Sequence, residues 1–151
     1  KLNDRIMAFC AICEDLPELH NRVTLDPDQT DANGIPVPKI DYTLSENSKK
    51  MLEHSAARAA DILNAAGATE VHAGYPIVYA GWHLLGTAKM GLDPETSVVN
   101  DWGRSHDVKN LFIVDGSVFV TSGGLNPTST IQANALYVAD QMKRRLANLF
   151  D

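Results

Sequence analysis

Gly81-Trp82-His83-Leu84-Leu85-Gly86-Thr87-Ala88-Lys89-Met90-Gly91 opens the stretch, residues 81–130, whose reading decides the fold. Leu111-Phe112-Ile113-Val114-Asp115-Gly116-Ser117 continues it, and Gly123-Gly124-Leu125-Asn126-Pro127-Thr128-Ser129-Thr130 closes it. The first segment sets a histidine between glycines, where imidazole suits proton transfer near neutral pH. Spacing alone does not separate His83 from an ordinary loop histidine, and no second ligand sits at a metal-binding interval from it. The second segment is a continuous apolar run bounded by polar residues, which predicts a buried strand over Leu111–Val114 ending in Asp115-Gly116. Strand ends of this kind contact ligands in α/β sheets, and a plain Asp-Gly turn is the competing reading. In the third segment Pro127 suits the first position of a helix, because its missing N–H has no intrahelical use there. Asn126 is then expected as N-cap, with the free N–H groups of the first turn aimed past Gly123-Gly124. A simple capped helix after a glycine turn explains the same residues.

Outward from this stretch, the last helix is predicted to run from Pro127 to about Leu149. Its apolar face includes Ile131, Ala135, Val138, Ala139, Met142 and Leu146, and Lys143, Arg144 and Arg145 lie near its C-terminal end, where cations suit the dipole. Toward the N-terminus, Ser45 is the expected cap of a helix reaching about Ala66, stopped by Gly67. Before it, Arg22–Asp26 and Lys39–Leu44 alternate as strands, joined by turn-rich Asp26–Gly34. The acids Asp26, Asp28 and Asp31 lack the remaining ligands of a calcium loop, so a solvated turn is the expectation. Ile6-Met7-Ala8-Phe9-Cys10-Ala11-Ile12-Cys13 reads as a short strand followed by Glu14-Asp15 and Pro17. Cys10 and Cys13 are spaced C-x-x-C, but with no second pair they read as small apolar residues more readily than as a redox dithiol or half a metal site. His54 and His72 are expected to be surface or structural residues, and His106 sits in the polar loop Arg104-Ser105-His106-Asp107.

Composition narrows the classes further. With 151 residues the chain is long enough for one cored domain, and its net charge of −6 with no basic tract argues against nucleic acid as a partner. No apolar run reaches the roughly 18–20 residues of a membrane span, so the chain reads as soluble, with a cytoplasmic or periplasmic location left open. Lys1 in place of an initiator Met reads as an internal residue of a longer protein.

Taken together and in order, His83 to Gly91, Asn110 to Ser117 and Asn126-Pro127-Thr128 before a helix resemble the C-terminal segment of glucose–methanol–choline (GMC) flavin oxidoreductases. Asn21 to Asp26, Gly34-Ile35-Pro36 and the following strand and helix resemble that family's substrate-binding portion. The resemblance implies an α+β / α/β fold. Residues 1–80 would supply antiparallel strands of the substrate-binding sheet with a packed helix, and residues 81–151 the active-site loop, a strand and the long helix completing the FAD-binding domain. It implies that His83 takes the proton of a substrate alcohol or sugar while hydride passes to the flavin, and that Asn126 hydrogen-bonds the substrate oxygen. It also implies cofactor contacts from Asp115, Gly116, Asn126, Pro127 and Thr128. The G-x-G-x-x-G dinucleotide fingerprint is absent, so most of the FAD site would lie outside this chain, in an N-terminal FAD-binding part acting as partner. The rival readings are a non-catalytic interaction domain of the same fold and a cofactor-free hydrolase pairing His83 with Ser117 or Ser122. The latter lacks a G-x-S-x-G elbow.

Overall fold

The computed structural model describes residues 5–74 and 82–149. The apolar run 75–80, Gly81 and the expected division at 80/81 lie outside the described residues. In chain order the elements are β1 (Arg22–Thr30), β2 (Pro36–Asp41), helix α1 (Glu46–Ala65) and helix α2 (Thr128–Arg144), with 3-10 turns at Gly116–Val118 and Leu146–Asn148.

β1 and β2 form an antiparallel hairpin in the register Arg22↔Asp41, Val23↔Ile40, Thr24↔Lys39 and Leu25↔Pro38, which slips before Thr30↔Pro36. The slip has a local cause. Asp26 Oδ1 accepts from the N–H groups of Asp28 and Gln29, folding the strand back on its own side chain. Asp31 Oδ1 does the same for Asn33 and Ile35 across the turn, and Gly34 takes the left-handed φ of 79° that this turn needs. The strand therefore extends four residues beyond the expected Asp26, and its partner begins at Pro36 rather than Lys39.

α1 follows its sequence signals. Ser45 is extended (φ −67°, ψ 156°) and its hydroxyl accepts from Ser48 N, as an N-cap should. At the other end Gly67, at φ 89°, lets its N–H reach Asn64 O and Ala68 N reach Leu63 O, the paired bonds of a Schellman stop. Asp15 fastens this unit: its carboxylate accepts from Ser48 Oγ at 2.5 Å and from the Tyr42 hydroxyl, tying the incoming arm to both hairpin and helix.

Two expected strands do not form. Residues 6–13 have no ladder partner among the described residues and remain irregular, with Ile6, Met7, Phe9 and Ile12 exposed. Leu111–Val114 is paired on one side only, through the single antiparallel bridge Arg104↔Phe112 and the bonds Ser105 N to Leu111 O and Ile113 N to Gly103 O. A strand needs a neighbour, and among the described residues none lies on its other side, which leaves Leu111 and Val114 exposed.

The C-terminal half has its own small core. Val99, Val118 and Val138 are fully or almost fully buried, and Trp102 packs on Phe112 with ring centroids 5.5 Å apart. Arg145 lies over the Trp102 ring at 4.7 Å, which secures the end of α2. Gly103 accepts this packing because a Cβ there would stand 3.1 Å from Val138 Cγ2 and 2.8 Å from Ile113 O, at a left-handed φ of 79°. His106 is tied into the loop packing of this half. Its Nε2 lies 3.1 Å from Gly91 O, an acceptor only, so that nitrogen carries the proton and also faces Ser97 Oγ at 3.0 Å.

Candidate active site

The segment after His83 is carried on the turn that follows the predicted strand. Gly86 N donates to Gly116 O, Ala88 N to Ser117 O and Met90 N to Val118 O, so residues 86–90 lie alongside 116–118. Asp115 caps that turn, its Oδ1 accepting from Ser117 N at 2.8 Å. The Ser117 side chain and backbone N–H together hold the Asp115 carboxyl below the usual carboxylate range. Gly116 is buried beneath this crossing. A Cβ there would meet Leu85 Cδ2 at 2.5 Å and Ile131 Cδ1 at 3.2 Å, so the glycine is explained by close packing of the His83 loop and α2.

His83 itself has a φ of 64°, the only positive value at a non-glycine position among the described residues. Left-handed backbone is uncommon outside glycine, and residues held there concentrate at functional sites. The loop turns the imidazole toward Asn126, whose Nδ2 is 3.4 Å from His83 Nε2. The amide nitrogen can only donate, so in this contact Nε2 is the accepting atom.

Asn126 is not the N-cap of α2. Pro127 occupies that position with helical angles (φ −87°, ψ −5°), no side chain caps the helix, and the Asn126 amide is directed at His83 instead. Among the described residues the first turn of α2 thus has no side-chain cap. Gly123 and Gly124 precede them with φ of 84° and 70°.

A shallow open cleft of about 200 Å³ is lined by Leu85, Phe119, Ser122, Gly123, Leu125, Asn126, Pro127 and Thr130. That is below the roughly 300–1,000 Å³ of a small-molecule pocket, so the cleft by itself does not enclose a ligand. Asn126 and Pro127 line this cleft. His83, Asp115, Gly116 and Thr128 do not line it. Reading the sequence missed Leu85, Phe119 and Thr130 as lining residues, and it missed Glu14, whose Oε1 accepts from Thr121 Oγ1 and Gly123 N. No sequence signal marked Glu14 for this contact, which joins residues more than a hundred positions apart.

The hydrolase reading requires a serine on His83, and among the described residues its hydrogen bond goes to Asn126, not to Ser117 or Ser122. Cys10 and Cys13 are free thiols, and Cys13 Sγ lies 3.4 Å from Ser55 Oγ. No group of three or more metal-ligating side chains is assembled among the described residues, and no helix among them is long and apolar enough to cross a membrane.

An imidazole and an amide brought within 3.4 Å just before α2 make a polar pair able to hydrogen-bond one small oxygen group. The sequence comparisons narrow the class, for residues 17–135 match the GMC oxidoreductase family, and the chain belongs to it. It is 42% identical to a 2-methyl-1,2-propanediol dehydrogenase of Mycolicibacterium austroafricanum over 91% of this chain and 25% of the relative. A paromamine 6'-oxidase of Streptomyces fradiae is 42% identical over 83% of this chain and 23% of its own length. The fructose dehydrogenase large subunit of Gluconobacter japonicus is 40% identical over 84% and 23%. The chain thus spans about a quarter of the length of the curated relatives it matches.

Proposed function

We propose that this chain is the C-terminal portion of an FAD-dependent oxidoreductase acting on the CH–OH group of a small alcohol or sugar. Residues 1–80 serve the substrate side, and residues 81–151 supply the active-site loop and the end of the FAD-binding domain. The observation that carries the reading is the 3.4 Å approach of His83 Nε2 and Asn126 Nδ2. A hydroxyl oxygen at a normal hydrogen-bond length of ~2.8 Å from each nitrogen sits about 2.2 Å off the line joining them. One substrate oxygen can therefore donate its proton to Nε2 and accept from Nδ2 at once. As the proton moves to His83, charge grows on that oxygen, and the Asn126 donor gains strength when it is needed.

The residues present suit a flavin along one wall. The uncapped N–H groups at Thr128 and beyond, with the positive end of the α2 dipole, favour an electron-rich ring edge, and Gly123-Gly124 keeps side chains out of the approach. Asn126, Pro127 and Thr128 would hold that edge, with Asp115 and Gly116 supporting the cofactor chain. FAD, when bound, supplies the hydride acceptor. The partner is the N-terminal FAD-binding part of the same enzyme.

The test uses the complete enzyme. Flavin absorption near ~450 nm is expected in the purified protein. His83→Ala should keep those bands and lower turnover by about 10²-fold or more, the scale of a lost positioned base. Near-normal turnover removes His83 from the role, and a folded, colourless enzyme favours the non-catalytic reading.

A further inference from the structure

The catalytic proposal leaves the adjacent acids Glu14 and Asp15 without a role. Their side chains serve different parts of the molecule. Asp15 holds Tyr42 and Ser48 of the hairpin and α1, while Glu14 reaches the loop before α2. There Glu14 Oε1 accepts from Thr121 Oγ1 at 2.6 Å and from Gly123 N at 3.3 Å, contacts separated by 107 and 109 residues in sequence. The position a Cβ would take at Gly124 lies 3.7 Å from both Glu14 Cβ and Glu14 N, so the acid also packs against the turn. Gly123 and Gly124 are consecutive left-handed glycines and the loosest backbone in the region by residue type, and Asn126 follows two residues later. Among the described residues the Glu14 carboxylate is the one acceptor of the Gly123 N–H. The freedom of this turn passes directly into the placement of the Asn126 amide, which must stay within reach of His83.

We propose that Glu14 is a positioning residue: its carboxylate clamps the Thr121–Gly124 turn and thereby fixes Asn126 opposite His83. The inference rests on the proposed function of that pair. A charged acceptor forms stronger hydrogen bonds than a neutral one, and one carboxylate oxygen satisfying a hydroxyl and a backbone N–H removes two freedoms of the turn together. Misplacing a catalytic group by an ångström is enough to slow turnover without abolishing substrate binding.

The experiment uses the complete enzyme and four substitutions at the clamp, with His83→Ala in the same assay. Glu14→Ala should lower kcat about tenfold, change KM less than threefold and leave the flavin content unchanged. Glu14→Gln keeps an acceptor oxygen and should recover kcat to within about threefold of wild type. Thr121→Val should fall between them, and Thr121→Ser should restore wild-type turnover. Amide hydrogen exchange should rise in the peptide covering 121–126 in Glu14→Ala and stay unchanged in peptides of α1. Wild-type kcat in Glu14→Ala overturns the proposal. So does a loss equal in Glu14→Ala and Glu14→Gln together with a lost limb of the pH profile, which would make Glu14 a proton carrier. If Glu14→Ala does not fold, the Gln and Thr121 variants decide by the same criteria. Should His83→Ala keep its turnover, the proposed function has failed; should His83→Ala be inactive while Glu14→Ala is normal, the clamp alone has failed.

Discussion

Gly116→Ala tests the packing on which the His83 loop rests. Gly116 does not take a positive φ, so alanine adds no backbone strain and the whole native-state cost is steric. The new methyl would stand 2.5 Å from Leu85 Cδ2 and 3.2 Å from Ile131 Cδ1. Carbon atoms settle at ~3.5–4.0 Å, so Leu85 must retreat by about 1 Å and Ile131 by a few tenths. Overpacking costs about 1–3 kcal/mol, and because both clashing atoms end flexible side chains the lower half of that range applies. Against it, alanine restricts the unfolded chain and stabilises by about 0.4–1 kcal/mol. The net is a loss of about 1 kcal/mol. The displaced Leu85 side chain also intrudes on the cleft it lines, so kcat/KM should fall about threefold to tenfold, equivalent to about 0.7–1.4 kcal/mol. The assay is a double-mutant cycle with Leu85→Ala, read by urea denaturation of the complete enzyme. With Leu85 truncated the main clash is gone and the unfolded-state term remains. Gly116→Ala should then be neutral or stabilising by a few tenths of a kcal/mol, a reversal of sign. The same destabilisation in both backgrounds would refute the packing argument.

Two further predictions concern the site and the hairpin. Asn126→Ala should lower kcat about tenfold with flavin retained, because one hydrogen bond to the developing oxyanion is worth about 1.4 kcal/mol; steady-state kinetics showing a change in KM alone would remove Asn126 from the transition state. The Tyr42 hydroxyl is pushed up to about 12, first by partial burial and then by its hydrogen bond to Asp15 and the negative charge there. The folded state then holds this proton more tightly than the unfolded chain, so the contribution to stability is complete below pH ~10 and is lost as pH rises from ~10 to ~12. The side chain is 59% exposed, so solvent screening keeps the effect small. Ultraviolet titration should show one late-ionising tyrosine that disappears in Tyr42→Phe, and a full tyrosine complement ionising near ~10 would contradict it.

What was legible in the sequence is what is decided locally. Ser45 announces α1 because a capping hydroxyl acts on an N–H three residues away, and Gly67 ends it because the stop needs a left-handed residue. The hairpin was visible in its alternation, but its extension to Thr30 was not, since the Asp26 side chain replaces part of the ladder. Leu111–Val114 has the composition of a buried strand, yet composition reports preference and a ladder reports neighbours; among the described residues only 103–105 pair with it. The proximity of His83 and Asn126 was legible only through resemblance, because no spacing rule relates residues 43 positions apart. The Asn126 cap was misread for a physical reason: an asparagine before Pro-Thr is a good cap only if its amide has no better partner, and here His83 holds it.

The geometry also sets a condition on the proposed chemistry. An imidazole and an amide 3.4 Å apart can grip one oxygen, but their strength as base and donor depends on the surrounding dielectric. Around them Trp82, Leu84 and Leu125 are 68%, 79% and 82% exposed. In water such a pair exchanges partners freely and its hydrogen bonds are worth little beyond those of solvent. Covered, the same three side chains would close a dry rim around the substrate oxygen, and each electrostatic contact inside it would strengthen. On the proposed function, catalysis therefore depends on contact between this rim and the FAD-binding part of the enzyme. Replacing Leu84 or Leu125, which lie beside the reacting groups without any hydrogen-bonding role, acts on turnover through that exclusion of water.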